Sequence, residues 1–408
     1  MKLGKLSLVA VLALGTSAFA IDNVKVNGDV KIIYQSNDVQ NSTSDMFDKD
    51  ASAAGVGIRV GATADLISGV SAGVQAQGFT TLGLENNLVS AVMATGSVDD
   101  QSSMSQAWLA GTLGKTTVKV GRQELDTPLA FTEKWNVVYN TFDAAVAINT
   151  DLPNTTLVGA WVGKDNGMGA STVTTSPGNT APTLINSTGQ TASLSAGFDT
   201  FGAKGAYAAG AINNSLPSTT LQGWYYNVVD LATAYWLQAD TKVAGMVNLG
   251  AQYAGMDPDS RFGNLNDSTI WAVKGAVDVS GVNLYAAYSS ADKDGVLGFA
   301  NTATGDKTKI YTGLDSIYMD GIVTRPGTDT IKVGASAALA GVKLAAAYTD
   351  CSVDGADNDI SGIDLSVSGK AGPLNLQAIY TMVDNEVASG NYSGLDRDTI
   401  RLIAVLPF

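Results

Sequence analysis

Apolar and polar residues alternate along most of this chain. From Asn23 the run NVKVNGDVKIIYQ puts Val24, Val26, Val30, Ile32 and Tyr34 on one face and Lys25, Asn27, Asp29, Lys31 and Gln35 on the other. A period of two marks a β-strand, and a dozen residues is longer than the five or six usual in soluble strands. The next run, from Ser52, sets Val56, Ile58, Val60, Ala62 and Ala64 against Arg59 and Asp65. The rhythm recurs to the last residue. It predicts strands over 23–36, 52–66, 69–80, 101–113, 115–122, 142–150, 154–164, 202–212, 218–227, 229–239, 243–254, 267–279, 281–290, 329–339, 341–350, 360–369, 372–383 and 397–408.

The joins between these runs alternate as well. Tight ones fall at Leu113-Gly114, at Asp151 to Pro153, around Val228 and Val229, and at Gly281, Gly341 and Gly372. Long polar ones cover 37–51, 81–100, 123–141, 165–201, 255–266, 291–328 and 384–396. Short turns alternating with long loops are the signature of an outer-membrane β-barrel. A soluble two-sheet protein alternates too, but with shorter strands and no long loop at every second join. The fold class expected is therefore all-β, one transmembrane antiparallel barrel of eighteen strands, with sixteen still open. The run at 191–200 also alternates. It stays within its long loop, because single-chain bacterial barrels carry even strand numbers.

Charge placement says which face meets water. Lys25, Lys31, Arg59, Lys119, Lys274, Lys332 and Lys343 all sit mid-strand on the polar face. A Lys or Arg facing lipid at the midplane costs about 2–4 kcal/mol. Seven would exceed the roughly 5–15 kcal/mol of net stability a domain has. These seven are expected to line an aqueous lumen. The opposite faces, such as Ile331, Val333, Ala335, Ala337 and Leu339, carry no charge and suit lipid. Tryptophans and tyrosines such as Trp108, Trp161, Trp224, Tyr235 and Trp271 fall within strands, often near an end, where barrels place interfacial girdles.

The ends and the composition narrow the function classes. Residues 1–20 read as a signal peptide, with Lys2 and Lys5, an apolar stretch to Leu14 and an Ala18-Phe19-Ala20 cleavage site. The domain would then be 21–408, with 22 basic and 38 acidic residues, a net charge of −16. That balance argues against nucleic acid as a partner. There is no histidine, which removes Ser-His-Asp and Cys-His catalysis. No catalytic residue and no cofactor is expected. Cys351 is alone, so no internal disulfide forms. Carboxylates at Asp350 to Asp359 and at Asp292/Asp294 could serve a loop-bound calcium ion, yet neither set has EF-hand spacing.

One connection stands out. Residues 123–141, QELDTPLAFTEKWNVVYNT, follow a strand without Gly/Ser padding and carry Glu124, Asp126, Glu133 and Lys134, with Arg122 just before. A dense loop of this length packs against something. It is expected to fold into the lumen, where Arg122, Glu124, Asp126, Glu133 and Lys134 would form the pore constriction. An alternative reading is a barrel whose external loops act as adhesin or receptor.

The leader MKLGKLSLVAVLALG, the junction KVGRQELDTPLAF, the hairpin WAVKGAVDVSGVNLYAAY and the terminal Phe408 resemble the major outer membrane porins of epsilonproteobacteria, the Campylobacter type. Those are similar in turn to the substrate-selective porins of pseudomonads. The matching junction residues are Gly121, Arg122, Gln123, Leu125, Thr127 and Pro128. Pro407 and the missing histidines depart from the pattern. The resemblance implies an eighteen-stranded, trimeric general porin in a Gram-negative outer membrane, its third external loop folded inward. It would pass ions and small hydrophilic solutes, and the net charge of −16 with the acids Glu124, Asp126 and Glu133 suggests a mild cation preference.

Overall fold

In a computed structural model, residues 21–93, 101–167, 171–174, 183–186, 198–202, 204–314, 319–355, 359–385, 387 and 396–408 are described. Eighteen antiparallel strands form the wall. The first third is β1 (Asp22–Val39), β2 (Ser52–Ile67), β3 (Val70–Thr80), β4 (Gln101–Leu113), β5 (Thr116–Gln123) and β6 (Phe142–Asn149). Then follow β7 (Thr155–Asp165), β8 (Ala206–Asn213), β9 (Thr219–Val228), β10 (Ala232–Val243), β11 (Val247–Pro258) and β12 (Ser268–Val279). The ring is completed by β13 (Val282–Ala291), β14 (Thr328–Leu339), β15 (Val342–Val353), β16 (Ile360–Ala371), β17 (Leu374–Asn385) and β18 (Arg397–Pro407).

Each strand pairs with its neighbours in sequence, and β18 returns to β1 in register from Asp29↔Pro407 to Val39↔Arg397. Closure leaves no unpaired edge in lipid. The last residue shuts the seam: Gly28 N–H donates to the Phe408 carbonyl and Phe408 N–H to that of Gly28, both at 2.9 Å. Gly28 has to be glycine here, because a Cβ would overlap the Arg59 carbonyl and the Phe408 ring.

The expected count of eighteen holds, with several strands running further at their loop ends than alternation alone marked. Two details differ. The short connection 229–231 opens on the same side as the long loops, because the turn between β8 and β9 lies at 214–218. Long and short joins therefore do not alternate strictly. Of the run at 191–200, Asp199 and Thr200 pair with Asp165 and Lys164 of β7, while 191–197 lie outside the described residues. A small hairpin, Ser171–Thr174 with Thr183–Asn186, stands apart from the ring. The leader 1–20 also lies outside the described residues.

The two faces differ as a barrel requires. Val26, Leu237 and Ile331 are 56, 53 and 51 % exposed on the outer face, whereas Lys31 and Arg59 on the inner face are 5 and 4 % exposed. Lys119, Lys274 and Lys332 share the inner face, and by register so do Lys25 (opposite Thr63) and Lys343 (opposite Ser368). Each strand from β7 to β13 carries one outward aromatic: Trp161, Tyr207, Tyr225, Tyr235, Tyr253, Trp271 and Tyr288. Their rings meet in pairs, Tyr235–Tyr253 at 5.8 Å and Trp271–Tyr288 at 5.2 Å. Strands β2 to β6 supply none. Their Phe79, Trp108 and Phe142 point inward.

Candidate functional site

Two long connections, 124–141 and 292–327, pack against lumen-facing side chains. The first crosses to β1–β3. Lys31 Nζ donates to three consecutive backbone carbonyls, those of Lys134 (2.6 Å), Trp135 (3.2 Å) and Asn136 (2.9 Å). Arg59 forms a two-pronged pair with Asp29. It also donates to the Val137 carbonyl at 3.2 Å and to the Tyr139 hydroxyl at 2.7 Å. Gln77 bonds the Tyr139 backbone both ways, its Nε2 donating at 3.0 Å and its Oε1 accepting at 3.1 Å. The approach is close enough that a Cβ on Gly57 would overlap the Val137 carbonyl. Burial pushes the Tyr139 phenol above its usual pKa.

Loop 292–327 covers β10 to β17. Tyr311 donates its hydroxyl to Asp240 at 2.9 Å and its N–H to Gln252 at 3.1 Å, and Tyr285 donates to the Tyr311 carbonyl at 2.6 Å. Lys274 pairs with Asp240 at 2.6 Å and lies 4.1 Å from the Tyr311 ring, and Lys332 donates to the Gly313 carbonyl. Below these bonds, Leu297, Phe299 and Ile310 pack with Trp236, Ile270 and Ala272 of the wall. Leu314, Met319 and Val323 cover Cys351, Ile360 and Val383.

The two loops also hold each other. Asn301 Nδ2 donates to the Phe131 carbonyl and to Glu133, at 2.9 and 2.8 Å, and Thr302 N–H donates to Leu129 at 2.8 Å. A continuous chain of contacts thus crosses the lumen. It runs from β1 and β2, through both loops, to β10–β13.

The sequence-derived set divides on this frame. Glu124 and Lys134 form an ion pair of 2.6 Å, with Gln106 donating to Glu124 at 3.3 Å. Asp126 pairs with Lys309 of the other loop and is 88 % exposed. Glu133 does not join them in water: it is 6 % exposed, between the loops. Arg122 is set apart too. It shares a strand face with Val118 and Val120, which are 42 and 53 % exposed on the apolar side. There it pairs with Asp143 at 2.8 Å and stacks 3.3 Å from Phe198. Alternation itself explains this, since 118, 120 and 122 share parity through an unbroken register with β4. Lys119 sits 4.2 Å over the Trp108 ring.

Several residues went unmarked in the sequence reading. Arg401, 5 % exposed, donates its Nε–H to Gln35 Oε1 at 3.0 Å and lies 5.5 Å from the Trp135 ring. It alternates with Ile400 and Leu402, so the mid-strand charge criterion reaches it. Asp29 and Asp240 satisfy the same criterion for acids. Asn301 and Tyr311 carried no local signal. Among the described residues no group of three or more His, Cys, Asp or Glu could hold a metal ion.

The model of the family described as Campylobacter major outer membrane protein matches residues 1–408. The chain belongs to that family. Its barrel is similar to solved outer-membrane structures at low identity. Pseudomonas aeruginosa OccK8 (OprE) is 16 % identical with a TM-score of 0.70, covering 96 % of this chain and 99 % of its own. Acinetobacter baumannii OccAB4 is 12 % identical with a TM-score of 0.73, at 95 and 98 % coverage. Pseudomonas aeruginosa OpdK, solved with vanillate, is 14 % identical with a TM-score of 0.71, at 95 and 99 % coverage. At such identity the likeness concerns the fold. Among curated proteins none matches. The family and the barrel together make this an outer-membrane chain of porin type.

Proposed function

We propose that this family member forms a water-filled channel for passive diffusion of ions and small hydrophilic solutes, with loops 124–141 and 292–327 together as its constriction. The observation that carries this is the pairing of charged lumen side chains with loops that still expose charge to water. Lys134 is 57 % and Asp126 88 % exposed, each with a partner of opposite sign beside it. Eighteen strands enclose more space than side chains alone fill. Two exposed ion pairs nearly balance locally, so the mild cation preference rests on the surplus of acids over the whole chain and on Asp126.

Reconstituted in a planar bilayer, the protein should open ohmic channels whose reversal potential in a salt gradient has the sign of cations. Asp126→Asn should shift that potential toward anions more than Glu124→Gln does. Both shifts should shrink at 1 M salt, where the Debye length is about 3 Å. Absence of channels from correctly folded protein would end the reading. We further propose a homotrimer that associates through β2–β6, because that stretch of outer face lacks the aromatic anchors present on β7–β13. Cross-linking in mild detergent that returned only monomers would remove that assembly.

A further inference from the structure

We propose that Glu133 locks loops 124–141 and 292–327 into one body, making it the positioning residue for the constriction and resting on the channel reading above. The carboxylate is nearly buried, and four uncharged donors converge on it. Trp135 Nε1 donates to Oε2 at 2.7 Å from its own loop. From the other loop, Asn301 Nδ2 donates to Oε1 at 2.8 Å, the Lys307 backbone N–H at 3.3 Å, and the Thr304 hydroxyl as well. A buried carboxylate is costly unless its lone pairs are filled, so these donors are held in place as firmly as they hold it. The rest of the seam is built around the same point. Asn301 Oδ1 accepts from Phe131 N–H at 3.2 Å, and Glu133 N–H donates to Asn140 at 2.6 Å. The Asp126–Lys309 pair, one partner on each loop, is thereby fixed in the water path.

The lock has an internal reporter. Cys351 is fully buried, and the cover over it is Leu314, Met319 and Val323 of loop 292–327. Loosening that loop opens the thiol to water. In the full chain in detergent, a water-soluble maleimide should label the parent slowly. Glu133→Gln, whose amide presents hydrogens where donors point, should be labelled about tenfold faster, as expected where local opening limits the reaction. Its channels should flicker and conduct more. Should Glu133→Gln fold poorly, Asn301→Ala and Thr304→Val remove donors from the other side and should act in the same direction. The double variant Glu133→Gln/Asn301→Ala should be no worse than either single one, because both break one lock. A purely additive double variant would overturn the proposal. So would Cys351 protection and conductance unchanged from the parent in the single variants. Channels missing from the parent would count against the channel reading alone, since labelling still reads the lock.

Discussion

The two inward loops reach the same lumen but are held by different physics. Loop 124–141 is pinned by charge: two wall cations, Lys31 and Arg59, take up four of its backbone carbonyls, those of residues 134–137. Loop 292–327 is held chiefly by apolar burial, with Phe299 and Ile310 against the wall on one side and Met319 and Val323 on the other. The shorter loop buries Leu129, Val137 and Val138 as well, but its backbone carbonyls are held by just two strong donors. A loop twice as long can spread the same task over many weak contacts. The first arrangement concentrates risk in single residues, and the second dilutes it.

The largest effect should follow from Arg59→Leu. The substitution leaves the half-buried Asp29 without its partner and strips the Val137 carbonyl and the Tyr139 hydroxyl of a donor. Breaking a buried pair from one side costs about 3–5 kcal/mol. The temperature at which the detergent-purified barrel changes its gel mobility should fall, and trypsin should gain access to Lys134. A variant that keeps both properties would show that charge is not what holds this loop.

The second loop should respond in the opposite order of chemistry. Phe299→Ala removes a side chain 1 % exposed and should cost about 3–5 kcal/mol. Tyr311→Phe deletes one hydroxyl bond to the Asp240 carboxylate, which keeps Lys274, and should cost only about 1.5–3 kcal/mol. Thermal unfolding of the two variants side by side measures the ratio. If Tyr311→Phe proved the more damaging, loop 292–327 would be charge-pinned like its partner and the contrast would fail.

How much of this could be read beforehand follows from the same physics. A strand in a barrel has only two faces, so period-two alternation fixed both its existence and the direction of Lys31, Arg59 and Lys332. The same parity argument, carried one residue further, sends Arg122 outward with Val118 and Val120. It was the pull of the adjacent charged loop that suggested otherwise. Glu133 and Asp126 look alike in sequence, yet one is buried and the other open. What separates them is Asn301 and Thr304, about 170 residues away. No local pattern encodes such a meeting. Loop 292–327 is legible as long and polar, but its anchors Phe299, Ile310 and Tyr311 have no periodicity to announce them.

The smallest expected effect comes from charges that pair at the surface instead of in the lumen. At the loop end of the barrel, Asp230 of the 229–231 turn meets Lys204 and also Arg261, the latter at 2.6 Å, while Arg261 pairs with Asp259 at 2.9 Å. Three external connections are tied together by this cluster. Hydrogen bonds from Lys204 and Arg261 hold the Asp230 carboxyl below its usual range, and those from Arg261 do the same for Asp259. A carboxylate whose folded pKa is lowered contributes stability above the unfolded value, about 3.9, and loses it as pH falls through the folded one. The ties are thus complete at neutral pH and dissolve only in strong acid. Asp230→Asn at pH 7 should leave the unfolding temperature unchanged within error while speeding proteolysis at Lys204 and Arg261. Acidifying the parent to about pH 3 should reproduce part of that loosening, and the variant should respond less to the same acid. Water already solvates these groups when they separate, whereas Asp29, 17 % exposed, meets far less of it once Arg59 is gone. An Asp230→Asn variant as unstable as Arg59→Leu would mean that burial is not what gives the lumen clamp its strength.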